Sequence, residues 1–184
     1  ALERVLPADR PQDAAAEHQS VVLALDSTGD PQRELLGIRT LVDHRVDGLV
    51  YARMSHQSVT VPKELGGIPV VLANASSAEL EYSSVVPDEQ QIGVDATVHL
   101  LGYGHLKIGF ATVTDDVPAA AGRERGYRTA LEAAGIPVKE EWISAKSGDA
   151  QGGRAAGREI LGRKDRPTAI FCFNDEMAMG VYQA

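Results

Sequence analysis

The residues able to do chemistry are scattered, and their spacing argues for binding, not catalysis. Asp115-Asp116 follows an apolar run and resembles the acidic pair of a phosphoacceptor site. Such a pair should precede the phosphorylated Asp and its Lys, and here it stands two-thirds along the chain. His18, His44, His56, His99 and His105 show neither H-E-x-x-H nor any other paired metal-ligand spacing. Gly102-Tyr103-Gly104 starts a G-x-G-x-x-G but lacks the third glycine and follows a helical pattern. There is no G-x-S-x-G elbow and no P-loop. Cys172 lies inside the apolar run TAIFCF and reads as a core thiol. A lone cysteine also rules out an internal disulfide framework and a multi-cysteine zinc site. The expectation is therefore no enzyme, no cofactor and no metal.

The elements that must position these residues alternate. Residues 1–19 are polar, broken by Pro7 and Pro11, with a helical turn expected around Asp13 to His18. The apolar run SVVLAL at 20–25 suits a strand buried on both faces. Asp30-Pro31 is an N-cap followed by the first helical position. Leu35, Ile38, Leu41 and Val42 then recur at helical spacing as far as Arg45. Strands are expected at 47–51 and 69–73, with a weak helix between Gln57 and Leu65 that Pro62 interrupts. After a polar stretch, 74–84, the pattern resumes. Helices fit 89–101, 119–134, 150–161 and 175–184, and strands fit 106–111, 142–145 and 168–173. Such alternation means βαβ units and parallel sheets, here as two doubly wound α/β lobes that divide at 87/88.

In open parallel sheets, ligands sit outside the carboxyl ends of the strands. That rule selects residues 26–28, 53–55, 74–76, 113–116, 146–148 and 174–175. They are mostly small, polar or acidic, which suits hydrogen bonds to a neutral polar ligand. They contain no cluster of phosphate-binding lysines.

The chain has 184 residues, with 18 Lys+Arg against 26 Asp+Glu and a net charge of −8. A nucleic-acid groove needs a dense positive patch, so these residues alone are not expected to bind duplex DNA. No apolar run approaches the ~20 residues of a membrane span. Residues 1–19 have no apolar core of a signal peptide. With a single cysteine, this fits the reducing cytoplasm.

From Asp88 onward the spacing becomes specific. DEQQIGVDATVHLLGYGHLKIGF at 88–110 is followed by RERGYRTALEAAG at 123–135 and AIFCFNDEMAMG at 169–180. These segments resemble the regulatory core of the LacI (lactose-repressor) family of transcription factors. Upstream, DPQRELLGIRTLVDHRVDGLVYA and IPVVLAN match as well. One departure is Ile92, placed where the family commonly has a small residue. The resemblance covers residues ~20 to 184 and implies a periplasmic-binding-protein-like fold (type I) with an interlobe cleft that closes on a small effector. It also implies a homodimer, with operator DNA reached only through a headpiece that this chain lacks. The first strand of the family's amino-terminal lobe and its carboxyl-terminal Gly-Phe-Asp strand are not found here. Both lobes, 1–87 and 88–184, are therefore expected to be partial. The other class with this fold is the sugar- or solute-binding protein of an ABC transporter, which an export signal upstream would mark.

By resemblance, Arg123 is the effector clamp; its guanidinium is a planar fork of donors suited to hydroxyls or a carboxylate. Asn174 matches a position that binds sugar hydroxyls, with Asp175 expected to cap the last helix. Asn74 aligns with an effector-contacting Asp or Asn and reads equally well as a turn amide. Asp88 stands at the lobe crossover, as effector contact or as hinge-capping carboxylate. The implied effector is a sugar, a sugar derivative or a nucleoside. His105 is expected to fix its loop through a backbone hydrogen bond, and Arg53 to be exposed. The dimer surfaces expected are residues 30–45 and 56–65.

Overall fold

The structure is a computed structural model that describes residues 15, 18–77 and 82–184. The chain divides into two compact units, Ala1–Leu49 with Val61–Pro69, and Val50–Thr60 with Val70–Ala184. Most of the turn expected at 13–18 lies outside the described residues.

In the first unit, helix α1 spans Pro31–Asp43. The Asp30 carboxylate starts it by accepting from the Gln32 and Arg33 amides at 2.8 and 3.3 Å. Ile38 is buried on its apolar face, and Val61 and Leu65 are buried in the same unit. The helix expected at 57–65 is a single 3-10 turn, Lys63–Leu65, that starts just after Pro62. Residues 21–25 form no strand. Val21, Leu23 and Leu25 are at least half exposed, and no ladder partner is seen among the described residues. An apolar run becomes a strand only where a neighbouring edge takes up its backbone groups. Composition reports the apolarity and not the neighbour.

In the second unit, strands β1 (Leu49–Ser58), β2 (Val70–Ser76) and β3 (Ser83–Val85) form one sheet in the order β1-β2-β3. β1 runs seven residues past the expected end at Tyr51, so Arg53 and Ser55 lie within the strand. β2 likewise continues through Asn74. β3 was not expected. It is short, polar and exposed, and exists through its parallel pairing with β2, Leu72 opposite Ser84.

Helix α2 spans Glu89–Gly102, and strand β4, Ile108–Val113, follows it. Next come α3 (Pro118–Ala133), a 3-10 turn, β5 (Ile143–Lys146), α4 (Ala150–Leu161), β6 (Ala169–Cys172) and α5 (Asp175–Val181). The second sheet has β4 at its centre, parallel to both β5 and β6, with Phe110 opposite Ile143 and Phe171. All six residues of β4 are buried, as suits a central parallel strand; the strand was expected at 106–111. Phe110 stacks on Tyr127 and Phe171 at 5.4 and 4.8 Å between centroids. The Tyr127 hydroxyl donates to the Ile108 carbonyl at 2.8 Å, and burial pushes its pKa up to about 12. The architecture is mixed α/β with two parallel-type sheets, as the alternation required.

Helices α2 and α3 touch at backbone distance. A Cβ on Gly126 would stand 2.1 Å from the Gln90 carbonyl oxygen, and one on Gly93 would stand 2.3 Å from that of Arg123. The small residue that this packing requires is therefore Gly93, and Ile92 beside it is partly exposed. This contact sets the geometry of the site.

Candidate ligand-binding site

Arg123 sits on α3 in its second turn. Its Nε donates to Glu89 Oε2 at 2.8 Å, and its Nη1 donates to the Phe173 carbonyl just after β6. The guanidinium carbon lies 4.6 Å from the centroid of the Phe173 ring. One side chain thus ties α3 to the start of α2 and to the carboxyl end of β6. Its partner Glu89 is the first residue of α2, where the helix dipole favours a negative charge. The Glu89 side chain is 5% exposed, and its second oxygen lies 3.6 Å from His56 Nδ1 on β1. A buried carboxylate needs such partners, because water no longer solvates it.

Asn174 makes one hydrogen bond through each end of its side-chain amide. Its Oδ1 accepts from the Met177 amide and its Nδ2 donates to the Gly148 carbonyl, both at 2.8 Å. Asn174 therefore caps α5, and the capping expected of Asp175 is corrected; Asp175 is the first helical residue and exposed. Asp88 caps α2, accepting from the Gln91 amide at 3.0 Å, and is otherwise exposed. Asn74 is held at φ 54°, in the left-handed region, within β2. Its Nδ2 donates to the Arg53 carbonyl at 3.1 Å, while its Oδ1 is buried with no donor among the described residues. A buried acceptor without a partner calls for a water or a ligand.

The structure thus gathers Asp88, Arg123 and Asn174 around Glu89 and Phe173. No hydrogen bond among the described residues joins Asn74 to them; it stands with Arg53 in the first sheet. The Arg53 guanidinium is half-buried, with Nη2 donating to the Tyr51 hydroxyl at 2.5 Å, so the exposure expected of it does not hold. His105 bonds the Thr168 hydroxyl at 3.0 Å, where a backbone partner was expected. Burial pushes the Cys172 thiol up to about 11, which fits a packed, unreactive group.

Glu89 and His56 are the functional candidates that sequence reasoning missed. Glu89 opens the helix expected at 89–101, a place where an acidic residue is common and carries no functional signal. The signal was on another helix, in Gly122 and Gly126, which bring α3 close enough to bury it; a Cβ on Gly122 would stand 2.5 Å from the Glu89 Cβ. The loops at the carboxyl ends of β4 and β5, residues 114–117 and 147–149, hold Asp115, Asp116 and Asp149 and no Lys or Arg. The Asp149 pKa is lowered by the Gly152 amide and the Ser147 hydroxyl. Lys146, ending β5, is paired with Glu159 at 2.7 Å. No group of three potential metal ligands occurs among the described residues.

The family of periplasmic binding proteins and sugar-binding domains of LacI proteins matches residues 11–184. The chain belongs to the LacI family. It is 33% identical over 175 residues to the HTH-type transcriptional regulator GalS of Salmonella typhimurium, covering 92% of this chain and 50% of that protein. It is 34% identical over 168 residues to the ribose operon repressor of Escherichia coli K12, covering 90% and 50%. A solved LacI-family transcriptional regulator from Mycobacterium smegmatis superposes with a TM-score of 0.70 at 29% identity, covering 94% of this chain and 64% of that one. The chain spans about half the length of the curated relatives it matches. Within this LacI-family chain, Asp88, Arg123 and Asn174 all fall inside the matched region. No described helix is long and apolar enough to cross a membrane.

Proposed function

We propose that the chain is the effector-sensing core of a cytoplasmic LacI-type transcriptional regulator. It binds a small polyhydroxyl effector, a sugar, sugar derivative or nucleoside, through Arg123, Asp88, Asn174 and Asn74. The lobes divide at 87/88, and the protein pairs as a homodimer and meets operator DNA through a separate headpiece. The effector acts by preferring one of two lobe arrangements, and it shifts the balance only by its differential affinity for them.

The observation that carries this reading is the placement of Arg123. Its guanidinium ends on the Phe173 carbonyl at the carboxyl edge of the second sheet, next to Asn174. Of the five donors of an arginine, one goes to Glu89 and one to Phe173, which leaves three for hydroxyls. Asn174 and Asp88 serve chiefly to hold the rim, and their remaining lone pairs accept from the ligand. Asn74 offers a buried acceptor that a hydroxyl would satisfy. The names of relatives, a ribose operon repressor among them, point to the same ligand class. The test is calorimetric titration of the full chain with pentoses, hexoses and nucleosides. One of these should bind, and Asn74→Ala should weaken it about tenfold, the worth of one neutral hydrogen bond. A full panel without binding refutes the assignment.

A further inference from the structure

We propose that Glu89 is a specificity-determining residue, a built-in counter-carboxylate that makes the effector site reject anions and accept uncharged or cationic polyhydroxyl ligands. This rests on the effector-site reading above and goes beyond it to the charge of the ligand.

An arginine at a ligand rim ordinarily invites carboxylate or phosphate, because its fork matches both. Here the fork is already answered from within. Glu89 Oε2 takes the Arg123 Nε–H at 2.8 Å from a side chain that is 5% exposed. A ligand anion cannot displace it without leaving that carboxylate buried and unpaired, which is far costlier than leaving it alone. The donors that remain on Arg123 are dipolar partners for hydroxyl groups, and the charge behind them is cancelled. The surroundings work in the same direction. Asp88 is the residue before Glu89, and the loops after β4 and β5 add Asp115, Asp116 and Asp149 without a single Lys or Arg. His56 lies 3.6 Å from the far oxygen of Glu89, too far for a hydrogen bond, so Arg123 is the close partner of that carboxylate. Stability alone does not explain the pair, since well-packed apolar residues serve a buried position equally well. Its distinguishing property is the charge it presents to whatever meets Arg123.

The test uses the full chain and inorganic phosphate as probe, with a neutral hexose, its uronate and its amino derivative as a matched set. Glu89→Gln keeps the shape and removes the charge. It should bind phosphate at least tenfold more tightly than the unaltered protein, and adding Arg123→Ala should abolish the gain. The unaltered protein should bind the uronate at least tenfold more weakly than the neutral or amino sugar. A folded Glu89→Gln protein with no gain in phosphate affinity overturns the proposal. So does an unaltered protein that already binds phosphate or the uronate as well as the variant does. If Glu89→Gln does not fold, Glu89→Ala takes its place; if neither folds, Glu89 is a folding element and the proposal falls. Failure of the effector-site reading looks different. In that case no sugar or nucleoside binds, while the phosphate gain in Glu89→Gln is still observed.

Discussion

Removing the Arg123 guanidinium tests whether it is only a ligand clamp or also the counter-ion of a buried charge. The resemblance alone makes it cleft-facing and dispensable for folding. The structure makes Arg123→Ala a stability variant. Glu89 would keep His56 at 3.6 Å but lose its 2.8 Å partner while remaining 5% exposed. Breaking a fully buried pair from one side costs about 3–5 kcal/mol. Arg123 is itself 20% exposed, so water enters the vacated space and screens part of that cost. The Phe173 carbonyl also loses a donor, and the ring loses its cation, each worth about 1 kcal/mol. The expected loss is about 2–4 kcal/mol.

Urea unfolding followed by fluorescence measures it. Trp142 is the single tryptophan and is buried in the second unit, so the signal reports the unit that holds the pair. The decisive control is Glu89→Met combined with Arg123→Met, which removes both charges and fills the volume. It should recover most of the loss, because the penalty belongs to the uncompensated carboxylate and not to the missing contact. A single variant within about 0.5 kcal/mol of the parent, the scatter of ordinary surface substitutions, refutes the counter-ion role. A double variant no better than the single refutes the electrostatic account of it.

Gly126→Ala should destabilise by about 1–3 kcal/mol or more in the same assay, since its Cβ meets the Gln90 carbonyl oxygen at 2.1 Å. Gly135→Ala, with open space but φ 70°, should cost only about 1 kcal/mol of backbone strain. Asn174→Ala should lose about 1 kcal/mol through the cap of α5, whereas Asp175→Ala should be nearly neutral, reversing the sequence expectation. The Asp165 carboxylate lies between Lys107, at 2.5 Å, and Lys139, and these hold its pKa down to about 2 from 3.8. A lowered folded-state pKa contributes stability that is full above 3.8 and lost as pH falls through about 2. Asp165→Asn should therefore flatten the acid limb of the stability curve in that window and leave its shape at neutral pH unchanged.

The second sheet was legible in the sequence because its signals are local. β4 is a mostly apolar run that reads as a strand by itself, and Gly135 marks where α3 stops. The first half was less legible because its outcomes depend on neighbours. The run at 20–25 has the composition of a strand and no ladder partner among the described residues; the residues 83–85 have a partner and no strand composition. β1 outran its expected end because Arg53, Ser55 and His56 interrupt apolarity without interrupting the ladder. Among the candidate residues, Arg123 was singled out by its motif, which does not reveal its partners Glu89 and Phe173, and the cap of the last helix was given to Asp175 where Asn174 makes it. Asx side chains compete for the same cap, and types alone do not decide between adjacent Asn174 and Asp175.

The burial of Glu89 follows from the five residues that carry Arg123 together with Gly122 before them. In Arg123-Glu124-Arg125-Gly126-Tyr127, the arginine and glycine stand three apart and so share a helix face. Gly126 lets α3 meet the Gln90 carbonyl, and the Arg123 backbone comes to rest on Gly93. A helical side chain leans toward the amino end of its helix. Gly122, one turn back, clears room for the Glu89 Cβ, and the guanidinium lies beside that carboxylate. Tyr127 then anchors the helix by its bond to the carbonyl of Ile108, the first residue of β4. Helix contact, ion pair and donor placement are thus one arrangement. A substitution that spreads α2 and α3 should loosen the arginine as well as the core, even though it touches no ligand.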